Sequence, residues 1–271
     1  MSYRLIEGCC GSAALTFHLC GANKAVITYQ GSKWKFRHLL AEILSDRGFV
    51  GLPNEIELYD PGPWSKVVPL IFSNKDEIVD ELKFYNKFDP NIMYHKFQNQ
   101  PCSKIPTNYA AEFLFLQRLA FSGKAVGASS GIWKSPGFNT TSAYGLEGTD
   151  KFGAIKPMLP GMIKTLSKLS LVPMVFNSGR YLKKPIDNVK NTVVYLDPPY
   201  QGSTKYPDGD LSRQEVIDLA LAWYHVGATV LISEAEPISN LIGWKQICIS
   251  SAKESKNSFR SKKEEWVTIS P

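Results

Sequence analysis

Paired cysteines are missing from this chain. Its 271 residues include five Cys, an odd number with no C-x-x-C spacing, which argues against a disulfide framework and against a zinc site. The four histidines (His18, His38, His95, His225) are scattered, so no metal is expected. Long apolar runs are also missing; none approaches the ~20 residues that a membrane helix needs, so no membrane association is expected. Met1-Ser2-Tyr3-Arg4 leads straight into a strand-like segment instead of a signal-peptide apolar region. The expected location is therefore cytoplasmic. There is no internal repeat and no low-complexity tract.

What is present is an ordinary globular composition, 44% hydrophobic, enough for a sizeable core. The net charge of +6 is modest but uneven. Eight basic residues against one acid, Asp187, lie between Lys151 and Lys190. A phosphate-bearing partner would explain such a segment; a solvated lysine-rich surface is the other reading.

The first sixty residues alternate. Arg4-Leu5-Ile6 reads as a strand ending at Glu7, Ser12–Leu19 as a small-residue helix, and Lys24–Tyr29 as a second strand carrying Val26, Ile27 and Thr28. Lys35–Arg47 has the apolar stripe of a helix, stopped by Gly48, and Glu55–Tyr59 reads as a third strand. This is the grammar of a doubly wound sheet. Between about 88 and 171 the grammar changes: an apolar helix over Ala110–Ala120 precedes a Gly- and Ser-rich stretch, 122–145, long enough to be functional. Alternation resumes with strands at Val172–Phe176, Thr192–Leu196 and Thr229–Ser233, a helix at Arg213–His225, and strand-like pieces at Gln246–Ser250 and Trp266–Ile269. The expected fold is α/β, a doubly wound and mostly parallel sheet. Residues 1–87 and 172–271 would form one domain, and 88–171 an inserted, mainly helical and loop region.

The most specific feature is Asp197-Pro198-Pro199-Tyr200, entered from the apolar run Val193-Val194-Tyr195-Leu196. The Asp197 carboxylate and the Pro198 carbonyl can each accept one N–H of an amino group on a flat ring, and Tyr200 can lie against the ring face. Pro198 and Pro199 fix φ and donate no competing N–H. Three further strand ends carry polar residues where open α/β sheets bind ligands. Glu7-Gly8-Cys9-Cys10-Gly11-Ser12 places an acid and small residues in a βα turn, with Cys9 and Cys10 read as packing residues. Tyr29-Gln30-Gly31-Ser32-Lys33 places a lysine at a strand end. Asp60 could grip a sugar diol or begin a turn. Each of these three is as common in purely structural turns.

With these motifs the chain resembles the DNA adenine methylase family, S-adenosylmethionine-dependent N6-adenine DNA methyltransferases with a DPPY motif. Val194 to Tyr200 carries the most specific likeness, and other pieces cover most of the chain. The resemblance implies a Rossmann-like methyltransferase fold, S-adenosylmethionine as cofactor and double-stranded DNA as partner. It implies that Glu7, Gly8, Cys10, Gly11, Ser12, Tyr29, Gln30, Gly31, Lys33, Asp60 and Asp197 bind the cofactor. Asp197, Pro198, Pro199 and Tyr200 would be catalytic, the inserted region would recognise the target, and the target base would be extruded from the duplex. Tyr206 is expected to wall the base pocket, and Lys124, Trp133, Lys134, Asn139, Lys183 and Lys184 to contact DNA. The expected state is a monomer. The order of motifs differs from the family's usual one: the Gly-Lys signature follows the cofactor turn instead of preceding it. Two alternatives stand beside this reading: a methyltransferase acting on another planar amine (RNA adenine or cytosine N4), and a non-catalytic DNA-binding module with the same fold.

Overall fold

The computed structural model describes residues 2–28, 32–98, 100–121, 124–140, 158–178, 185, 189–200, 211–249 and 264–271. In chain order its elements begin with β1 (Arg4–Gly8), α1 (Ala14–Leu19), a 3-10 turn (Lys33–Phe36), α2 (Arg37–Asp46) and β2 (Glu55–Tyr59). Then come α3 (Val68–Ser73), α4 (Lys75–Tyr85), α5 (Pro90–Gln98), α6 (Pro106–Leu119) and a small hairpin of β3 (Gly127–Ser129) and β4 (Ile132–Lys134). The chain continues through α7 (Met158–Ser167), β5 (Met174–Asn177), β6 (Thr192–Leu196), α8 (Arg213–His225), β7 (Thr229–Glu234), β8 (Lys245–Cys248) and β9 (Trp266–Ile269).

The chain forms two compact units. The first comprises Met1–Gly11, His38–Gly62 and Pro173–Pro271, and the second Ser12–Arg37 and Pro63–Val172. One break between the units falls between Val172 and Pro173. Residues 12–37 and 63–87 instead group with the inserted region. For 63–87 the reason lies in local packing: α4 and α7 both pack with α6, and α3 joins them.

The first unit is built on a seven-stranded sheet of order β5-β2-β1-β6-β7-β9-β8. All pairings are parallel from β5 to β7, and β9 runs antiparallel to both neighbours. Numbered along the chain within this sheet, the five parallel strands follow the doubly wound order 3-2-1-4-5. The expected α/β, mostly parallel fold is therefore present. β6 is buried throughout, as expected of a central strand covered on both faces.

One face of that sheet is covered by α8. A capping box starts the helix: Ser212 Oγ accepts from Glu215 N at 3.2 Å, and the Ser212 N–H donates to Glu215 Oε2 at 2.8 Å. Val216, Ile217, Ala220 and Trp223 of α8 then form one core with Ile6, Val194, Leu196, Val230 and Ile232. Burying each such aliphatic side chain stabilises the fold by roughly 1.5–3 kcal/mol.

The second unit is mainly helical. Its centre is α6, buried from Ala110 to Leu119. The expected strand over Lys24–Tyr29 does not form in the described part, 24–28. Its backbone acceptors are taken by α6 side chains instead: Gln117 Nε2 donates to Thr28 O at 2.7 Å, and Arg118 to Ala25 O at 3.2 Å. With those carbonyls satisfied by a helix, this β-branched segment packs as an irregular strap.

Candidate active site at the carboxyl edge of the sheet

Sheet register brings the chemically marked residues of the first unit into one row. Gly8 is level with Tyr59 on one side and Leu196 on the other, and Leu196 is level with Ile232. The ladder continues one residue beyond the strands. Asp197 N donates to Gly8 O at 3.2 Å, Cys10 N to Tyr59 O at 3.1 Å, and Asp60 N to Asn177 O at 3.3 Å. Asp60, the Gly8–Gly11 turn, Asp197 and Ser233–Glu234 therefore stand side by side at the carboxyl ends of β2, β1, β6 and β7.

The turn after β1 is tight and unusual. Cys9 has φ 55° and Gly11 φ 49°, left-handed conformations that cost an L side chain about 1 kcal/mol and glycine nothing. Asp60 holds the turn: its Oδ2 accepts from Gly11 N at 2.9 Å while Oδ1 accepts from Gly62 N at 2.6 Å. Asp60 thus begins a turn and also clamps the neighbouring one.

Electrostatically the edge is acidic. Glu7, Asp60, Glu234 and Glu265 are buried, and Asp197 is half-buried. Burial pushes the Cys9 and Cys10 thiols well above the usual thiol range. Asp60 raises both further, Asp197 and Glu234 act on Cys9, and Glu7 acts on Cys10. Both cysteines are therefore held as neutral thiols, consistent with packing roles. Tyr195 points its hydroxyl at Ser233 Oγ, 2.8 Å away in the buried interior.

Tyr200 is half-buried, and its hydroxyl donates to Glu265 Oε1. Burial, then the charges of Asp197 and Glu265, push its phenol far above the ordinary tyrosine range. It stays a protonated donor at any physiological pH. Pro198 is buried and Pro199 half-buried, so the segment from Asp197 to Tyr200 is rigid and only partly open.

The first unit therefore collects Glu7, Gly8, Cys10, Gly11, Asp60, Asp197, Pro198, Pro199 and Tyr200. Ser12 and Lys33 group with the second unit. There Ser12 Oγ lies 2.7 Å from Ser32 Oγ, and Lys33 opens the 3-10 turn instead of ending a strand. Tyr29, Gln30, Gly31, Lys183, Lys184 and Tyr206 lie outside the described residues. Glu234 and Glu265 join the edge without having been singled out in the sequence. Glu234 had one available signal, its place directly after Ser233 at a strand end.

Of the residues assigned to DNA, Lys124 and Lys134 are exposed and Asn139 is half-buried. Trp133 must be reassigned. It is 1% exposed, donates from Nε1 to Glu112 Oε2 at 2.8 Å, and packs its ring 4.7 Å from that of Tyr109. With its donor satisfied and its ring enclosed, it is a core residue of the second unit. The hairpin spacing that placed Lys134 outward turned Trp133 inward.

A depression of about 370 Å³, lined by Tyr3, Arg4, Asn54, Lys190 and Thr192 among others, opens at the opposite edge of the sheet. It is remote from the acidic row because these residues start strands instead of ending them. Among the described residues, no group of three His, Cys, Asp or Glu side chains could hold a metal ion, and no helix is long and apolar enough to cross a membrane.

The chain matches no protein-family model and no curated protein sequence.

Proposed function

We propose that this chain is a site-specific DNA N6-adenine methyltransferase that uses S-adenosylmethionine. One observation carries the reading: Asp197 stands at the tip of the central strand, bonded through its N–H to the cofactor-type turn and flanked by an anchored Tyr200. The acidic edge supports it as well. A row of carboxylates lowers the potential where a cationic sulfonium would sit, and donor and charge chemistry fit that group. Glu7, Gly8, Cys10, Gly11 and Asp60 would hold the cofactor, which supplies an electrophilic methyl group when bound.

The residues then have separable tasks. The exocyclic nitrogen of adenine is a poor nucleophile because its lone pair is delocalised into the ring. The Asp197 carboxylate and the Pro198 carbonyl each accept one N–H, favouring a nitrogen whose lone pair leaves the ring plane. They stabilise the transition state more than the flat ground state, which is the requirement for catalysis. Tyr200 supplies a ring on which an extruded base can stack, worth ~1–3 kcal/mol. Holding nitrogen and methyl group in line contributes several kcal/mol more. Lys124 and Lys134 would meet phosphates.

The test is direct. Unmodified duplex DNA and, in parallel, RNA are each incubated with the protein and a methyl-labelled donor, digested to nucleosides and separated. Label in N6-methyladenine is expected. Label confined to RNA or to cytosine, or cofactor binding that is absent with and without DNA, would overturn the proposal.

A further inference from the structure

Glu265 stands in the acidic row for a topological reason. Parallel strands bring only their last residues to the carboxyl edge. β9 runs the other way, and its first residue, Trp266, is level with Glu234 at the end of β7. The residue just before β9 therefore arrives at the same edge from the opposite direction. Its backbone is pinned there, because Ile249 N donates to Glu265 O at 2.7 Å. The residue is buried, 8% exposed, and a buried carboxylate must be compensated by donors. The Tyr200 hydroxyl is one of them.

We infer that Glu265 is a positioning residue that fixes the ring of Tyr200 in its working orientation before a base arrives. The inference rests on the function proposed above. Two prolines already limit the backbone between Asp197 and Tyr200. What remains free is the tyrosine side chain, with two rotatable angles. A hydrogen bond at the far end of the ring fixes the position of the hydroxyl oxygen and so the first angle, and the in-plane preference of the phenolic O–H biases the second. A restrained ring loses no further rotamer freedom when a planar ligand stacks on it, which is how a preorganised site favours binding and alignment.

The test is a double-mutant cycle of Tyr200→Phe and Glu265→Ala, read in chemical unfolding and in methyl transfer to DNA, with Glu265→Gln alongside. Each single change is expected to lower kcat/KM for DNA on the order of tenfold, and the double change no further, since both remove one bond. KM for the methyl donor should stay within about twofold. Glu265→Gln keeps an acceptor without the charge and should recover transfer to within about threefold of wild type. Additive losses would overturn the inference, as would a Glu265→Gln protein as impaired as Glu265→Ala, which would make charge the operative property. So would a Glu265→Ala protein that unfolds more easily yet transfers normally. A wild-type protein that transfers no methyl group overturns the functional proposal and this role with it, whereas an active wild type with an unaffected Glu265→Ala variant overturns this role alone.

Discussion

Asp60 reaches across from the end of β2 to hold Gly11 of the neighbouring turn, its Oδ2 accepting the Gly11 N–H at 2.9 Å. One side chain thereby couples two strand ends, and it does so where the backbone is left-handed and least able to hold itself. Hydrogen bonds to charged groups contribute about 1.5–3 kcal/mol each. Asp60→Ala is expected to lower unfolding free energy by about 2–4 kcal/mol, since two backbone donors lose their acceptor. S-adenosylmethionine affinity should fall at least ~10-fold with it. Urea denaturation and calorimetry check both; an unchanged midpoint would show that the clamp is idle.

Asp197→Ala is expected to abolish methyl transfer, a loss of at least ~10³-fold, while cofactor and DNA binding stay measurable. The Asp197 N–H that bonds to Gly8 O belongs to the backbone and survives the change. Asp197→Asn keeps one acceptor and adds a donor, so partial activity above the alanine level is expected. Single-turnover transfer assays with separate binding measurements decide this.

Trp133 and Lys134 are neighbours with opposite expected behaviour. Trp133→Ala removes a buried ring and takes away one of the donors of Glu112 Oε2, the Ser103 N–H remaining, at a cost of about 3–5 kcal/mol in stability. Lys124→Ala with Lys134→Ala should leave stability within about 0.5 kcal/mol. The same pair should weaken DNA binding and reduce the salt slope by about one to two units. Thermal melts and DNA titrations at several salt concentrations separate the two effects.

Alkaline pH should destabilise the first unit. Cys9 and Cys10 have thiols raised well above 9.0 by burial and by neighbouring carboxylates, so the folded chain keeps protons that the unfolded chain gives up. The unfolded state then binds fewer protons, and stability falls as pH rises through about 9. Tyr195 and Tyr200, raised from 10.0, steepen the fall above that value. Unfolding free energies measured from pH 8 to 10.5 should decline. Replacing both cysteines by serine should flatten the first part of that decline.

Buried thiols also predict a labelling pattern. Cys248 is exposed and Cys102 half-buried, whereas Cys9, Cys10 and Cys20 are buried. Alkylation of the native protein at pH 8 should reach Cys248 first and spare the three buried thiols until denaturant is added. Peptide mapping by mass spectrometry reads the outcome.

Periodicity along the chain was sufficient for β2, β6, α8 and β9, whose observed limits coincide with those read from the residues. The same local chemistry marked Asp197 to Tyr200, because an apolar strand running into an acid and two prolines has few other uses. These are properties of neighbours in sequence, and short-range sterics and burial patterns carry them. Segment 24–28 shows where that information ends: Val26, Ile27 and Thr28 favour a strand, but strand formation needs an edge to pair with, and the carbonyls of Ala25 and Thr28 are bonded by Arg118 and Gln117 instead. Trp133 likewise became core because Glu112 and Tyr109 were waiting for it. Glu265 is the clearest case. It lies sixty-five residues beyond Tyr200, in a Glu-rich, mixed-charge approach to the last strand that does not point to that partner. Only an antiparallel last strand, delivering its leading residue to the edge where parallel strands end, could put that carboxylate against that hydroxyl.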